Sequence, residues 1–444
     1  MKPLYFMYFL LIPSVAMAQK NSGEDRLRIA TEMETSIRSE LLNKWYPQCI
    51  DSLYGGFIST FTFDFKPTGP QDKFIVTQAR HTWSTSKATV RYPDIPYYKT
   101  AARHGYNFLR DVMWDKTFGG FYTLVTRMGH VKDSSKNAYG NAFGIYALAA
   151  YFACSHDTGA LKLAQEAFLW LEKHSHDPVH KGYFQHLQQD GTPIQRTADT
   201  PSNTDLGYKD QNSSIHLLEA FTELYAVWPD PLLHERLDEM LLLIRDTMVT
   251  KKGNLVLFFH PDWTPVSFRD SSHASVMMHR NLDHVSFGHD VETAYLLQEA
   301  SHALGIQNDT TTLNIGKRMV DHALDNGWDN SIGGFYDECY YFKDRKTITI
   351  IQNSKNWWAQ AEGLNTLLIM SELFPNDPRN YFDKFKMLWK YAQMYLIDHT
   401  YGDWYEEGLD KEPQRKTAFK GHIWKATYHQ FRALMNCVDR LKQG

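Results

Sequence analysis

One short pattern recurs along this 444-residue chain and restricts its fold more than any other feature. Asp51-Ser-Leu-Tyr-Gly-Gly-Phe57 is echoed by Asp115-Lys-Thr-Phe-Gly-Gly-Phe121 and by Asp329-Asn-Ser-Ile-Gly-Gly-Phe335. Looser copies are Asp177-Pro-Val-His-Lys-Gly-Tyr-Phe184 and Asp398-His-Thr-Tyr-Gly-Asp-Trp404. A double-length gap after the third copy holds a degenerate one, Lys252-Gly-Asn-Leu-Val-Leu-Phe258. Six units of about 60 to 80 residues each result, and self-similarity of that period marks a repeat architecture.

The contents of a unit follow from periodicity. The glycines suit a helix end and a tight turn. Between them, Ile215, Leu218, Phe221, Leu224, Tyr225 and Trp228 are spaced mostly by threes and fours, as are Tyr428, Phe431, Leu434, Val438 and Leu441. A unit therefore has room for two helices plus loops, and short alternating pieces such as Phe121-Tyr-Thr-Leu-Val125 read as small hairpins. Six helix pairs are the number that closes a double ring, so the expected fold is all-α, an (α/α)6 barrel over residues 19–444. An open solenoid is the competing arrangement. The Lys66–Lys73 segment reads as a loop near the mouth.

Before residue 19 stands an expected leader. Lys2 begins it, Leu4 to Val15 is largely apolar, and Ala16-Met17-Ala18 has the small-x-small form that a signal peptidase reads. The apolar run is short for a bilayer, which favours cleavage, export to the periplasm or beyond and a mature chain starting near Gln19; an uncleaved anchor is the alternative. Net charge is −4 with no basic cluster, so a nucleic-acid partner is not expected. Cys49, Cys154, Cys339 and Cys437 are scattered without a CxxC pair, so no metal site is expected and buried free thiols are the preferred reading. Twelve Trp and 25 Tyr suit a large core or a sugar site equally.

Most of the 20 histidines must be bystanders. His216 shares a helix face with Asn212, four residues earlier, away from the apolar stripe. Both could face solvent, or the central cavity if their helix is an inner one. His289 and Glu292 can meet on a helix face, where the carboxylate would raise the histidine's pKa. Alternatively Ser286, Asp290 and Glu292 form an N-terminal capping cluster. His429 sits where a loop enters the last helix, and Arg80 alone means little.

Six blocks in order carry a resemblance that covers nearly the whole chain after the leader. They are Gln78-Ala-Arg80-His-Thr-Trp83, Lys136-Asn-Ala-Tyr139-Gly-Asn-Ala-Phe143, Asn212 to Glu219, Phe287-Gly-His289-Asp290-Val-Glu292, Trp357-Trp358-Ala-Gln360-Ala-Glu362 and Trp424-Lys425-Ala-Thr-Tyr428-His429. Together they resemble the N-acylglucosamine 2-epimerase superfamily, and most closely its cellobiose 2-epimerase branch. That branch usually has Cys-Pro at Ala426-Thr427 and often a histidine at Ser214.

The resemblance implies an (α/α)6 barrel and a cofactor-free sugar epimerase or isomerase that needs no metal. It implies that His289 and His429 are the acid–base pair at carbon 2 and that His216 assists ring opening. It makes Arg80 the enediolate stabiliser, gives Tyr139, Asn212 and Glu292 the task of positioning substrate, and stacks Trp358 and Trp424 on sugar rings. The expected partner is a mono- or disaccharide, first cellobiose or mannobiose, with N-acetylglucosamine or a free hexose second. The expected assembly is a monomer or homodimer, without a membrane span once the leader is removed. Histidine suits proton abstraction beside a carbonyl because its pKa lies near operating pH, and an arginine suits the anionic intermediate. Two rivals are a glycoside hydrolase using two of Glu219, Glu292 and Glu362, and a non-catalytic sugar-binding protein.

Overall fold

The computed structural model describes residues 12–443, with side chains from Gly23 onward. The expected leader lies outside the described residues, except that backbone from Ile12 forms the start of α1. In chain order the helices are α1 (Ile12–Thr35), α2 (Asn43–Trp45), α3 (Ile75–Arg91), α4 (Pro96–Phe108), α5 (Ala138–Ser155), α6 (Thr158–His174) and α7 (Gln211–Tyr225). There follow α8 (Pro231–Leu243), α9 (His273–Asp283), α10 (Phe287–Ala303), α11 (Thr310–Gly327), α12 (Trp357–Leu373), α13 (Tyr381–Tyr391) and α14 (Tyr428–Gln443).

Six of them form a closed inner ring. α3 packs on α5, α5 on α7, α7 on α10, α10 on α12, α12 on α14, and α14 returns to α3. That last contact excludes the open solenoid. The outer ring is α4, α6, α8, α11 and α13, each on the inner helix before it, with α1 covering α14. Burial follows this division. α5 is buried without interruption from Ala138 to Tyr151, whereas α4 buries only a stripe including Tyr98, Ala101, Ala102 and Tyr106. A helix in the inner ring has neighbours on both sides, and one in the outer ring has solvent on its back. The barrel is therefore an (α/α)6 toroid, as the repeat count predicts. α9 is an additional helix of the fourth unit, placed before α10.

The recurring motif is one structural device used six times. Its ends are bridged at Ile50–Phe57, Trp114–Phe121, His176–Tyr183, Val249–Leu255, Trp328–Phe335 and Ile397–Trp404. The degenerate copy thus takes a different register from the one its sequence suggests: Leu255, three residues before Phe258, fills the aromatic position. In the first copy Gly55 and Gly56 have φ of +78° and +64°, a conformation that only glycine adopts readily. The motif's aspartate caps its own turn and takes a buried lysine: Asp51–Lys73 at 3.0 Å, Asp115–Lys136 at 3.1 Å, Asp177–Lys209 at 2.8 Å, Asp329–Lys355 at 3.0 Å and Asp398–Lys420 at 2.8 Å. The Lys66–Lys73 segment is a loop only as far as Asp72, because Lys73 is buried in this pairing.

Strand pairing stitches each unit to the one before it. The expected hairpin at Phe121–Val125 contributes Leu124–Val125, which pairs with Val131–Asp133 and also with Lys73–Phe74, the strand leading into α3. Lys136–Asn137, Lys209–Asp210 and Val285–Ser286 enter α5, α7 and α10 under the same clamp. The entry and first turns of these inner helices are thereby fixed, and the candidate site is built on them. Three of the four cysteines are buried, Cys154 is half-buried, and all four are free thiols. Among the described residues no helix is long and apolar enough to cross a membrane.

Candidate active site

Counting from the entry residue of each inner helix (Lys73, Lys136, Lys209, Val285, Lys355, Lys425) shows how the ring makes a site. The third position on is Tyr139, Asn212, Trp358 or Tyr428 in four of the units, and the fourth is His289 and His429 in two. The seventh is Arg80, Phe143, His216, Glu292, Glu362 or Arg432. Positions three, four and seven lie on one helical face. That face points at the axis, and the axis holds a cavity of about 210 Å3. All nine residues nominated from sequence line it: Arg80, Tyr139, Asn212, His216, His289, Glu292, Trp358, Trp424 and His429, with Trp357 added. Trp424 alone of these comes from a loop, before α14, and is 48% exposed.

The three histidines are held alike. His216 Nδ1 lies 2.9 Å from Glu219 Oε2, His429 Nδ1 2.6 Å from Glu362 Oε1, and His289 Nδ1 2.8 Å from Ser286 Oγ. Each ring is oriented through Nδ1, which leaves Nε2 for a ligand. A carboxylate accepts only, so His216 and His429 carry the proton on Nδ1 when neutral and present a basic Nε2. Ser286 can donate or accept, so His289 can present Nε2 in either form. Trp358 lies against both members of the expected pair, with ring centroids 4.7 Å from His289 and 5.8 Å from His429.

Two expectations about His289 are corrected. Glu292 is not its partner: that carboxylate turns to Arg432, 2.6 Å from Nη2. Nor is its pKa raised. Burial, then the charges of His216, His284 and His429, push it down to about 3. Burial, with Arg80 and Arg432 adding to it, holds His429 well below the ordinary histidine value, and burial lowers His216 despite Glu219. All three are neutral at pH 7. The capping alternative also fails, since Ser286 spends its hydroxyl on His289 and makes no cap bond to the backbone.

Beneath the histidines is a charge cluster that spacing did not reveal. Arg432 donates to Glu219, to Glu292 and, at 2.7 Å, to Glu362. Tyr428 donates its hydroxyl to Glu219 at 2.5 Å, and Tyr295 donates to Glu362 at 2.9 Å. Burial works against the charge on Glu219, but Arg432, His216 and Tyr428 outweigh it and hold that carboxyl far below its usual range. Glu292 goes the other way, raised by burial and then by the charge of Glu362. Arg432 was missed although it stands three residues after His429; its signal is the seventh position of the sixth unit. Glu292, Glu362 and His429 are the one group of three among the described residues with metal-ligand atoms within 4.8 Å of one another. Arg432 already supplies the positive charge that these carboxylates need.

Arg80 lies above this layer. Its Nη2 donates to Tyr139 Oη at 2.9 Å and its Nη1 to the Trp424 carbonyl at 2.8 Å, and its guanidinium rests on Phe143 and Tyr428 at 4.6 and 5.0 Å. The cavity thus has a fixed cation on one wall, neutral imidazoles opposite tryptophan rings, and an exposed indole at its rim. Such a site can exchange protons with a bound polyol while holding a developing oxyanion.

Known proteins are similar to this one across nearly the full chain. A cellobiose 2-epimerase from Bacteroides fragilis is 27% identical over 421 residues, covering 92% of this chain and 98% of that protein. A D-mannose isomerase from Marinomonas mediterranea is 25% identical, over 90% and 93% of the two chains. The structure of cellobiose 2-epimerase from Spirochaeta thermophila DSM 6192 superposes with a TM-score of 0.79 at 28% identity, covering 95% of this chain and 98% of that one. The family description for N-acylglucosamine 2-epimerase (GlcNAc 2-epimerase) matches residues 56–433, the stretch from the first glycine turn into the last inner helix. The chain belongs to the N-acylglucosamine 2-epimerase family.

Proposed function

We propose that this chain is an exported carbohydrate 2-epimerase that inverts carbon 2 of a reducing-end aldose, with cellobiose- or mannobiose-type disaccharides as substrates. The observation that carries this reading is the pair His289 and His429, both neutral, both tethered through Nδ1 and both against Trp358. His216, with Glu219 behind it, assists opening of the sugar ring. One histidine of the pair takes the proton from carbon 2, leaving an enediolate whose oxygen Arg80 stabilises. The other, loaded with a solvent proton on Nε2 as the anion forms beside it, gives that proton to carbon 2 on the opposite face and returns to neutral, while the first passes the proton it took to solvent. Reprotonation at carbon 1 instead would give a ketose, the outcome suggested by the mannose isomerase relative.

A cavity of this size holds one hexose ring, which fits chemistry at the reducing end with the second sugar projecting past the exposed Trp424. The hydrolase reading loses support because Glu219, Glu292 and Glu362 are all engaged by Arg432 and none is a free acid or base facing a glycosidic oxygen. N-acetylglucosamine is the alternative substrate. Incubation with cellobiose, mannobiose, mannose and N-acetylglucosamine in heavy water is the test. Deuterium at carbon 2 of the C2 epimer of a disaccharide is the expected result; hydrolysed monosaccharide, or no exchange with any of the four, overturns the proposal. Export rests on the Lys2–Ala18 leader, and the expected N-terminus of the protein recovered outside the cytoplasm is Gln19, read by mass spectrometry.

A further inference from the structure

The fourth unit departs from its fellows where they carry a buried ion pair. Thr250 stands in the place of the turn aspartate and Val285 in the place of the lysine. Where the other units are filled by that pair, a cleft of about 370 Å3 opens between the Thr250 turn, Val285, Ser267–Arg269 and Tyr340–Tyr341. It shares no lining residue with the histidine cavity. The two are nevertheless neighbours in sequence, since Val285 lines the cleft and Ser286 holds His289.

The charges around this cleft are unbalanced. Lys251, Lys252 and Arg269 line it, and among the described residues none of them makes an ion pair. Lys252 Nζ sits 3.4 Å over the Tyr341 ring, and burial with the nearby Arg269 charge lowers its pKa. The one carboxylate in the lining is Asp283. Its Oδ2 accepts from the Phe268 amide at 2.6 Å and the Tyr340 hydroxyl at 2.7 Å. Its Oδ1 is buried and has no partner, an arrangement that costs free energy unless a donor arrives. Three cations against one carboxylate leave the lining positive and call for an anion; an orphaned acceptor beside them calls for a hydroxyl or amine donor.

We propose that this cleft is a second ligand site for a small anionic sugar, a hexose bearing a carboxylate or phosphate. Its anionic group meets Lys252 and Arg269, and one of its hydroxyls donates to Asp283 Oδ1. The volume suits a single substituted ring. Because the cleft and the histidine cavity are separate, this inference does not depend on the reaction proposed above.

The test is titration calorimetry on the full chain with glucose 6-phosphate, glucuronate, glucose and inorganic phosphate. Saturable binding of at least one of the two anionic hexoses is expected, about tenfold or more tighter than glucose and than inorganic phosphate. In the Lys252→Ala/Arg269→Ala double variant that binding should weaken about tenfold or more while the melting temperature stays put, since both side chains are exposed. Phosphate binding as tightly as the phosphorylated sugar would mean a bare anion site and overturn the proposal. So would equal affinity for glucose, no saturable binding, or unchanged binding in the double variant, which would put the ligand elsewhere.

Discussion

Replacing His429 or His289 by Ala removes the one nitrogen that each offers to the cavity, and turnover should fall roughly 100- to 10,000-fold while sugar binding survives. Stopped-flow or steady-state rates beside a binding isotherm separate the two effects; loss of both together would indicate collapse of the site. The pKa shifts fix the direction of the pH dependence. His289 and His429 lie below the histidine reference of about 6.5, so the acid limb of kcat/KM should fall below pH 6.5. Stability moves earlier: as pH drops below about 6.5 the unfolded chain takes up protons that the folded histidines refuse, and the melting temperature should decline while the remaining folded enzyme stays active. At this scale the sequence was only half legible. Nine cavity residues could be named, but His289 and Glu292 stood three apart and were read as partners. The Glu292 carboxylate instead reaches Arg432 of α14, which only the fold supplies, and the His289 imidazole turns back to Ser286, three residues before it.

The lysine–aspartate pairs show what a repeated element contributes. Lys136→Met leaves Asp115 buried and short of its cation, and should cost about 3–5 kcal/mol, whereas the Asp115→Asn/Lys136→Met double change should cost less than the sum of the single ones. Denaturant melts of the four proteins in that cycle are the measurement; additive losses would mean that the pair is not a unit. The motif itself was visible in sequence because its glycines need an uncommon backbone and its aspartate a turn. The fourth copy was visible only out of register. With aspartate and lysine both gone, nothing in the string distinguishes Leu255 from Phe258 as the residue that closes the bridge.

Ring closure was inferred from a count of six and is made physically by the contact of α14 with α3, and by α1 laid over α14. Ile29, Ala30 and Met33 of α1 are buried there. Deleting residues 19–35 should therefore lower the melting temperature and abolish activity together, because α14 carries His429 and Arg432; activity persisting at the wild-type level in a deleted chain would show that the inner ring closes unaided. The same closure has a consequence for how the protein comes into being. Each inner helix lends one or more groups to the axis, and the helix with two of the most demanding is the last of the six to be made. A nascent chain that has already built five-sixths of the barrel is no fraction of a catalyst. Activity appears in a single step, when the final helix slides between the first and the fifth, so a prematurely ended message yields an inert protein rather than a slow one.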